Sequence, residues 1–198
     1  NLTITPVDDN APIEVNNTGS TVSEGGTDTL ANTELRYDDS EQPASSVTYT
    51  VTGGLANGQL ELSGNPTVAI TSFTQAQIDA GEVVYVHDGT NTTSDSFTFD
   101  VDDGQGNAVT GETFNVTITP VDDDAPVQVN NAGSTVAEGG TDTLTSTELR
   151  YDDSEQPASS VTFTVIGGLA NGQLELTTDP GTSVTSFTQD DVDNNRLV

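Results

Sequence analysis

The sequence predicts an all-β protein made of two tandem modules, each an antiparallel β-sandwich in which two sheets pack face to face. Apolar and polar residues alternate in several short runs, which is the pattern of half-buried strands. Turn-forming residues separate these runs every 8–15 residues, as in sandwiches of about seven strands. The whole pattern then repeats, at a spacing that suits a complete domain rather than a solenoid unit.

The repeat is clearest in one eight-residue segment. Thr5–Pro12 and Thr119–Pro126 lie 114 residues apart and differ only in having Asn10 or Asp124 at the sixth position. The longer alignment around them has no gap, and 60 of its 84 positions are identical. Proline ends strands and stiffens the backbone at both ends of the segment. The segment is therefore interpreted as a rigid acidic linker between modules.

The linkers divide the chain into three parts. Residues 1–8 are the end of a preceding module, residues 9–123 form a complete module, and residues 124–198 begin a second one. The second copy has no counterpart of Tyr85–Glu112, so we expect it to lack about two closing strands. We expect the chain to be a window from a longer tandem array.

Within the first module, the strand pattern begins after Pro12. The runs with this pattern are Ile13–Val22, Leu30–Tyr37, Ser46–Thr52, Leu60–Leu62, Val83–His87, Phe97–Val101 and Phe114–Ile118. Ser46–Thr52 alternates most regularly, with Val47, Tyr49 and Val51 on one face and threonines on the other. Asn57-Gly58 indicates a tight turn, and residues 102–107 indicate a hairpin loop.

One short helix interrupts the strands. Thr74 and Gln77 have the spacing of a capping box, and Phe73 and Ile78 have the spacing of a hydrophobic staple around the same helix start. Gly81 is a suitable stop signal. The second copy keeps Phe187, Thr188, Asp191 and Val192 at the equivalent positions, so it should contain the same helix.

Composition excludes several classes of function. The formal net charge is -29, with three arginines, one histidine and no lysine or cysteine. Such a chain should repel nucleic acids and anionic membranes. The absence of cysteine excludes disulfides and thiolate chemistry. Bound cations would offset the acidic excess, and adaptation to a saline habitat is an alternative or contributing cause.

The linker and the module body resemble known extracellular repeats. Val7–Pro12 resembles the end of the cadherin linker, usually written D-x-N-D-N-A-P. The body is similar to the cadherin-like repeat of chondroitin-sulphate proteoglycans in three runs: Ser46–Val51, Phe73–Gly81, and Val84–Gly89 together with Asp95–Phe99. Near-identical tandem copies are typical of very large secreted bacterial surface proteins, including RTX-like adhesins.

This resemblance implies Greek-key sandwiches of cadherin or immunoglobulin type, calcium at the module junctions, and an adhesive or extending role outside the cell. The linkers depart from the cadherin pattern in reading Asp-Asp-Asn or Asp-Asp-Asp, and the cadherin L-D-R-E motif is absent. The number of ions at each junction therefore stays open.

Calcium is also expected on physical grounds, because it takes six to eight oxygen ligands, mostly carboxylates and carbonyls. We expect two sets of ligands. The set at the junction between the modules is Glu24, Asp88, Asp122, Asp123, Asp124, Asp152, Asp153 and Glu155. The equivalent set at the start of the first module is Asp8, Asp9, Asn10, Asp38, Asp39, Glu41, Asp102 and Asp103. Simple solvation of the acidic linker is the alternative to calcium.

Two weaker signals are interpreted structurally. His87 precedes Asp88-Gly89 but has no nucleophile or second histidine near it in sequence, so it is expected to support the fold. Residues 102–107 resemble a calcium loop but lack the bidentate acid of the twelve-residue calcium-binding loop. They are expected to form a hairpin that contributes one ligand or none.

The favoured function is structural: calcium-stiffened modules strung end to end as a stalk or fibre of a cell-surface adhesin or matrix protein. Its partners are neighbouring repeats of the same chain, with self-association into fibres through the linker or through an exposed strand edge. The alternative is a module that binds a glycan or another protein through its threonine-rich faces or loops. An enzyme is disfavoured because the sequence contains no paired catalytic constellation. The ligand of the distal end is not predicted.

Overall fold

The structure of the chain is a computed structural model that describes residues 10–198. The predicted end of a preceding module, at residues 1–8, lies outside the described residues. The chain divides into two compact units, of which the first ends at Val121 and the second spans Asp122–Val198. The sequence-based boundary lay two residues later, after Asp123. No helix within residues 10–198 has the length and apolar character needed to cross a membrane.

The first unit consists of strands with one short helix between two of them. Its elements are β1 (Ile13–Asn17), β2 (Ser20–Ser23), β3 (Thr27–Thr29), β4 (Leu35–Asp38), β5 (Thr48–Gly54), β6 (Gly58–Leu62), β7 (Asn65–Ala69), β8 (Ser72–Thr74), α1 (Gln75–Asp79), β9 (Val83–His87), β10 (Ser94–Asp102) and β11 (Ala108–Thr119). The strands outnumber the seven predicted because irregular residues split several runs. Gly19, for example, has φ +76° and separates β1 from β2.

Two main sheets confirm the predicted β-sandwich. One has the strand order β2-β11-β10-β5-β8, the other has the order β3-β9-β6-β7, and β1 pairs with β4 in a separate ribbon. Every pairing is antiparallel except that of β2 with β11, which is parallel. Because β2 and β11 run in the same direction, the module begins at one end of the sandwich and finishes at the other.

The core lies between the sheets and is rich in aromatic rings. Phe97, Phe99 and Phe114 are fully buried, as their alternation predicted. Tyr49 stacks on Phe73 with ring centroids 4.9 Å apart. The second unit repeats this stack with Phe163 on Phe187, also at 4.9 Å. Equivalent residues therefore form equivalent core contacts in both units.

Two residues differ from the expected alternation of buried apolar and exposed polar side chains. Glu61 lies between Leu60 and Leu62 but is only 4% exposed. Its carboxylate accepts hydrogen bonds from the Gln59 side chain (2.6 Å) and the Thr67 N–H (2.8 Å), so it closes the β6–β7 hairpin. A bulge in β1 shifts the pairing with β4 and leaves Val15 half exposed.

The predicted helix is confirmed and is anchored by a buried glutamine. Thr74 caps α1 in a capping box with Gln77, and the chain leaves the helix through Gly81 at φ +66°. Gln75 Oε1 accepts hydrogen bonds from the Tyr37 N–H (3.0 Å) and the Tyr49 hydroxyl (2.5 Å). One side chain thus ties the helix to both β4 and β5.

The second unit contains the counterparts of part of this framework. Its elements are β12 (Val127–Asn131), β13 (Leu149–Asp152), β14 (Thr162–Thr164), β15 (Glu175–Leu176), β16 (Asp179–Ser183), β17 (Ser186–Thr188) and α2 (Gln189–Asp193). The counterpart of β2, at residues 134–137, forms no strand in residues 122–198. In the first unit the equivalent strand β2 pairs with β11.

Substitutions at Gln75 and Tyr49 should have unequal costs. Gln75→Leu leaves the buried Tyr49 hydroxyl without its acceptor and removes one of the two acceptors of the Tyr37 N–H, which keeps the Tyr49 oxygen at 2.9 Å. It should lower the free energy of unfolding by about 2–3 kcal/mol. Tyr49→Phe should cost at most about 1 kcal/mol, because the second unit has Phe163 at this position and still pairs Gln189 Oε1 with the Tyr151 N–H. Urea unfolding of the two variants would measure the difference. Equal costs would contradict the anchoring role of Gln75.

Candidate metal sites at the module ends

Glu24 is a buried carboxylate at the end of the first unit where β2 and β11 finish. Its N–H donates to the Thr119 carbonyl (2.9 Å), and its Oε2 accepts from the Val121 N–H (3.2 Å). Glu24 is only 7% exposed, and within the described part of the chain its Oε1 is buried without a hydrogen-bond partner. An unpartnered buried carboxylate oxygen is costly, and a hard cation is one group that would satisfy it.

His87 holds the Glu24 loop and the Asp88 loop together. Its Nδ1 accepts hydrogen bonds from the Gly25 N–H (2.9 Å) and the Gly89 N–H (3.1 Å). Nδ1 must therefore carry no proton, and Nε2 donates to Thr92 Oγ1 (2.9 Å). The buried imidazole has two loop backbones and one hydroxyl as partners, which is the geometry of a structural residue.

Asp88 sits at the same end of the first unit as Glu24. Its Oδ1 accepts hydrogen bonds from the Thr90 hydroxyl (2.6 Å) and the Thr90 N–H (3.0 Å). These bonds, with the hydroxyl contributing most, lower the pKa of the Asp88 carboxyl below its ordinary value. Asp88 is thus held in its ionised form on an exposed loop next to the Glu24–Gly26 turn.

The second unit begins with a cluster of carboxylates. Within this unit, oxygens of Asp122, Asp153 and Glu155 lie within 4.8 Å of one another, and so do oxygens of Asp123, Asp124 and Glu155. Asp153 Oδ1 fixes the loop by accepting the N–H groups of Glu155 (2.9 Å) and Gln156 (3.0 Å). The structure therefore brings five predicted ligands of the second unit together.

The equivalent loop of the first unit has the same backbone arrangement. Asp39 Oδ1 accepts the N–H groups of Glu41 (2.7 Å) and Gln42 (2.9 Å). Asp39 Oδ2 is buried and has no hydrogen-bond partner among residues 10–198. Asp8 and Asp9, which were predicted to complete this set, lie outside the described residues.

Asp38 and Asp152 already have cationic partners. Arg36 donates to both oxygens of Asp38 at 2.9 and 2.8 Å, and Arg150 donates to Asp152 at 2.8 Å. In each pair the residues are two apart on one strand, so their side chains lie on the same face. This Arg-x-Asp spacing was present in the sequence and could have predicted the pairing. Both aspartates are therefore less suited to a cation than the clustered acids.

Asp102 and Asp103 belong to the loop between β10 and β11, at the opposite end of the first unit from Glu24. Asp103 is fully buried, and its Oδ1 accepts the N–H groups of Gln105, Gly106 and Asn107. Its Oδ2 accepts from the Asn107 side chain at 2.7 Å. Both oxygens are thus engaged by N–H donors, which is the arrangement of a hairpin loop rather than an open ligand.

Burial of Asp103 opposes ionisation, but the hydrogen bonds from Asn107, Gln105 and Gly106 outweigh it and lower the pKa of the carboxyl. Asp102 makes one loop hydrogen bond, to the Gly104 N–H. These two aspartates stay predicted ligands that no observed geometry supports.

The predicted ligands without an arginine partner or a full set of N–H donors are suited to a hard divalent cation; Glu24, Asp39, Asp88 and the cluster at the start of the second unit are among them. The donor set consists of carboxylate oxygens, which calcium prefers. Two of the buried oxygens without a partner in the described residues belong to predicted ligands, Glu24 and Asp39. Glu24 Oε1 and Asp39 Oδ2 could therefore accept a cation without displacing an existing hydrogen bond.

Comparison with known proteins places the chain among extracellular repeats. A model of the family described as cadherin-like matches residues 12–118 and 126–198. The chain is 34% identical over 209 residues to human extracellular matrix organizing protein FRAS1, covering 96% of this chain and 5% of that protein. It is 32% identical to extracellular matrix protein 3 of Lytechinus variegatus (99% and 6%) and 31% identical to human chondroitin sulfate proteoglycan 4 (92% and 8%).

A crystal structure of human CDH23 EC21-23 aligns with a TM-score of 0.46 at 18% identity, covering 92% of this chain and 55% of that one. By contrast, the chain spans less than a tenth of the length of FRAS1, extracellular matrix protein 3 and chondroitin sulfate proteoglycan 4.

Removing the His87 imidazole should destabilise the first unit strongly. His87→Ala leaves the Gly25 and Gly89 N–H groups without their acceptor, and should lower the free energy of unfolding by about 3 kcal/mol. Thr92→Val removes only the Nε2 partner and should cost about 1 kcal/mol. Chemical denaturation at neutral pH measures both. A His87→Ala variant within 0.5 kcal/mol of the parent chain, a margin typical of neutral surface changes, would refute the structural role.

The lowered pKa of Asp103 predicts a pH dependence with a definite sign. The ionised carboxylate contributes stability above the ordinary aspartate pKa of about 3.9, and this contribution is lost as pH falls through the lower folded-state value. Asp103→Asn should therefore reduce stability at pH 7, and its deficit should shrink below about pH 3. Urea unfolding between pH 7 and pH 2.5 tests this. Asp102→Asn is the matched control and should cost less at pH 7, because one hydrogen bond is affected instead of four.

Proposed function

Because the chain belongs to the cadherin-like family, we propose that it is a structural module of an extracellular protein, repeated along the chain and stiffened by calcium at its acidic ends. The observation that carries the calcium proposal is Glu24, a buried carboxylate with an unpartnered oxygen where the first unit ends. Cadherin-like domains generally bind calcium.

The topology supports a role in extension. β11 is twelve residues long, or about 40 Å, and runs from the Asp103 loop to the Glu24 end. Its parallel pairing with β2 separates the start of the module from its end. A module of this kind can be joined head to tail many times, and each copy adds length.

Electrostatics supports the need for a cation. Two carboxylate charges 4.8 Å apart repel by about 0.9 kcal/mol even at the dielectric constant of water. Asp122, Asp123, Asp124, Asp153 and Glu155 meet at or below this separation within two overlapping groups. A divalent ion would turn this repulsion into attraction. We propose Glu24 and Asp88 as ligands at the end of the first unit, and these five acids as ligands at the start of the second.

The setting is proposed from the relatives. Their names describe extracellular-matrix proteins and a proteoglycan, and this chain matches only a small part of each. We therefore place the module outside the cell, in a matrix or cell-surface protein, and propose no catalytic role. The bacterial surface setting stays a prediction, because the relatives named above come from animals. Assembly into fibres also stays a prediction.

A ligand-binding module is the weaker alternative. Such modules often present aromatic rings on one face. In the first unit Tyr37, Tyr49, Tyr85 and all four phenylalanines are buried in the core. The exposed threonines of β5 and β11 offer only small polar side chains, so this alternative has no specific support.

Calcium should raise the thermal stability of the whole chain. At a free calcium concentration 100 times the dissociation constant, one site adds about 2.7 kcal/mol, and extracellular modules typically bind at about 10⁻⁴–10⁻³ M. The unfolding midpoint should therefore rise between EDTA and 10 mM calcium, a range set by those constants, and rise much less with magnesium.

Replacement of Asp122, Asp123 and Asp124 by Asn should remove most of this rise. The matched control is a variant with Glu14→Gln, Glu82→Gln and Asp179→Asn, which removes the same charge at exposed positions away from the cluster. It should keep the calcium response. A midpoint that does not respond to calcium in the parent chain would sink the proposal and leave a solvated acidic linker.

A further inference from the structure

The chain contains two Asn-Gly pairs, Asn57-Gly58 and Asn171-Gly172, at equivalent positions of the two copies. No other asparagine in the sequence is followed by glycine. The ten residues around each pair, 53–62 and 167–176, are identical. Any difference in the chemistry of the two asparagines must therefore come from the structure around them.

An asparagine followed by glycine can lose its side-chain amide without an enzyme. The glycine nitrogen attacks the asparagine Cγ, so that an N–Cγ bond forms, the Cγ–Nδ2 bond breaks, and ammonia leaves with the glycine amide proton. Water then opens the five-membered imide at either carbonyl, which gives aspartate or isoaspartate. Glycine favours the attack because it has no Cβ and its backbone rotates freely. The reaction therefore needs a free side-chain amide and a mobile backbone.

The first unit holds Asn57 by its side chain and by both of its main-chain groups. Its Nδ2 donates a hydrogen bond to the Ser94 carbonyl (3.0 Å), and its N–H donates to Asp95 Oδ2 (3.1 Å). Its carbonyl accepts from the Asp88 N–H (3.0 Å). The attack on Asn57 Cγ would have to break several of these bonds.

Gly58 is held as closely as its neighbour. It pairs with His87 at the start of β6. A Cβ built on Gly58 would lie 2.5 Å from the Tyr85 hydroxyl oxygen and 2.5 Å from the Val86 carbonyl oxygen. The Gly58 backbone therefore has no room to turn its nitrogen towards the Asn57 side chain while β6 and β9 stay paired.

The equivalent pair in the second unit is open. Asn171 and Gly172 are both exposed, and in the described part of the chain neither the Asn171 side chain nor the Gly172 N–H makes a hydrogen bond. A Cβ built on Gly172 would have no atom within 4 Å. Residues 122–198 contain no equivalent of β10, which supplies Ser94 and Asp95 in the first unit.

We infer that Asn171 is a site of spontaneous deamidation and isoaspartate formation, whereas Asn57 is protected from the same reaction by its contacts with β10. Asp95 provides much of this protection, because its two oxygens accept the N–H groups of Ala56 and Asn57 at 3.1 Å each. Conversion at Asn171 adds negative charge to an exposed segment, and the isoaspartate product also lengthens the backbone by one carbon. Calcium takes no part in this chemistry.

Peptide mapping by mass spectrometry tests the inference on the 198-residue chain incubated at mildly alkaline pH. Asn171 should convert at least about tenfold faster than Asn57, because Asn57 must first lose its hydrogen bonds. In concentrated urea the two sites should convert at similar rates, since their flanking sequences are identical. Gly172→Ala should slow conversion at Asn171 and leave Asn57 unchanged, and the open space around Gly172 lets this variant fold.

Equal rates at Asn57 and Asn171 in the folded parent chain, or an Asn171 that converts only in urea, would overturn the inference. Asp95→Asn tests the source of the protection and should speed conversion at Asn57 without changing Asn171. The rate in urea, multiplied by the unfolded fraction of this variant, gives the part caused by global unfolding. A rate at Asn57 no greater than that part would refute the protective role of Asp95.

Discussion

The chain has thirty-two acidic residues and only three arginines, so most carboxylates must be stabilised by something other than a cationic side chain. All three arginines pair with aspartates close in sequence, in Arg36–Asp38, Arg150–Asp152 and Arg196 with Asp190 and Asp191. Other acids use N–H donors, as Asp103 does in the β10–β11 loop. At the ends of the units lie Glu24 and Asp39, each with a buried carboxylate oxygen that has no hydrogen-bond partner in the described residues, and the clustered carboxylates of Asp122, Asp123, Asp124, Asp153 and Glu155.

The fold explains why these acids gather there. These acids lie in loops and in the linker rather than in strands, and the loops and the linker meet at the ends of the units. The parallel pairing of β2 with β11 then places Glu24 beside the outgoing chain, while His87 joins the Glu24 and Asp88 loops.

Local signals in the sequence predicted local structure well. The alternation of Phe97 and Phe99 located β10, and the Thr74–Gln77 capping box located the helix. Long-range pairing was not predictable in the same way. The parallel contact of β2 with β11, the buried Glu61 in its hairpin and the acceptor role of His87 each depend on residues distant in sequence or on backbone N–H groups. Residue identity alone does not reveal such partners, and for the same reason the four N–H donors that engage Asp103 were not predictable from the sequence.

Titration calorimetry of calcium binding to the 198-residue chain and to its Glu24→Gln variant would test whether the buried Glu24 carboxylate is a calcium ligand. Glu24 is buried with one unpartnered oxygen, whereas its counterpart Glu138 is exposed, so Glu138→Gln is a control with the same change of charge. Glu24→Gln should abolish one calcium site or weaken it at least about tenfold, and Glu138→Gln should leave binding unchanged. Identical stoichiometry and affinity in the parent chain and the Glu24→Gln variant would contradict this role of Glu24.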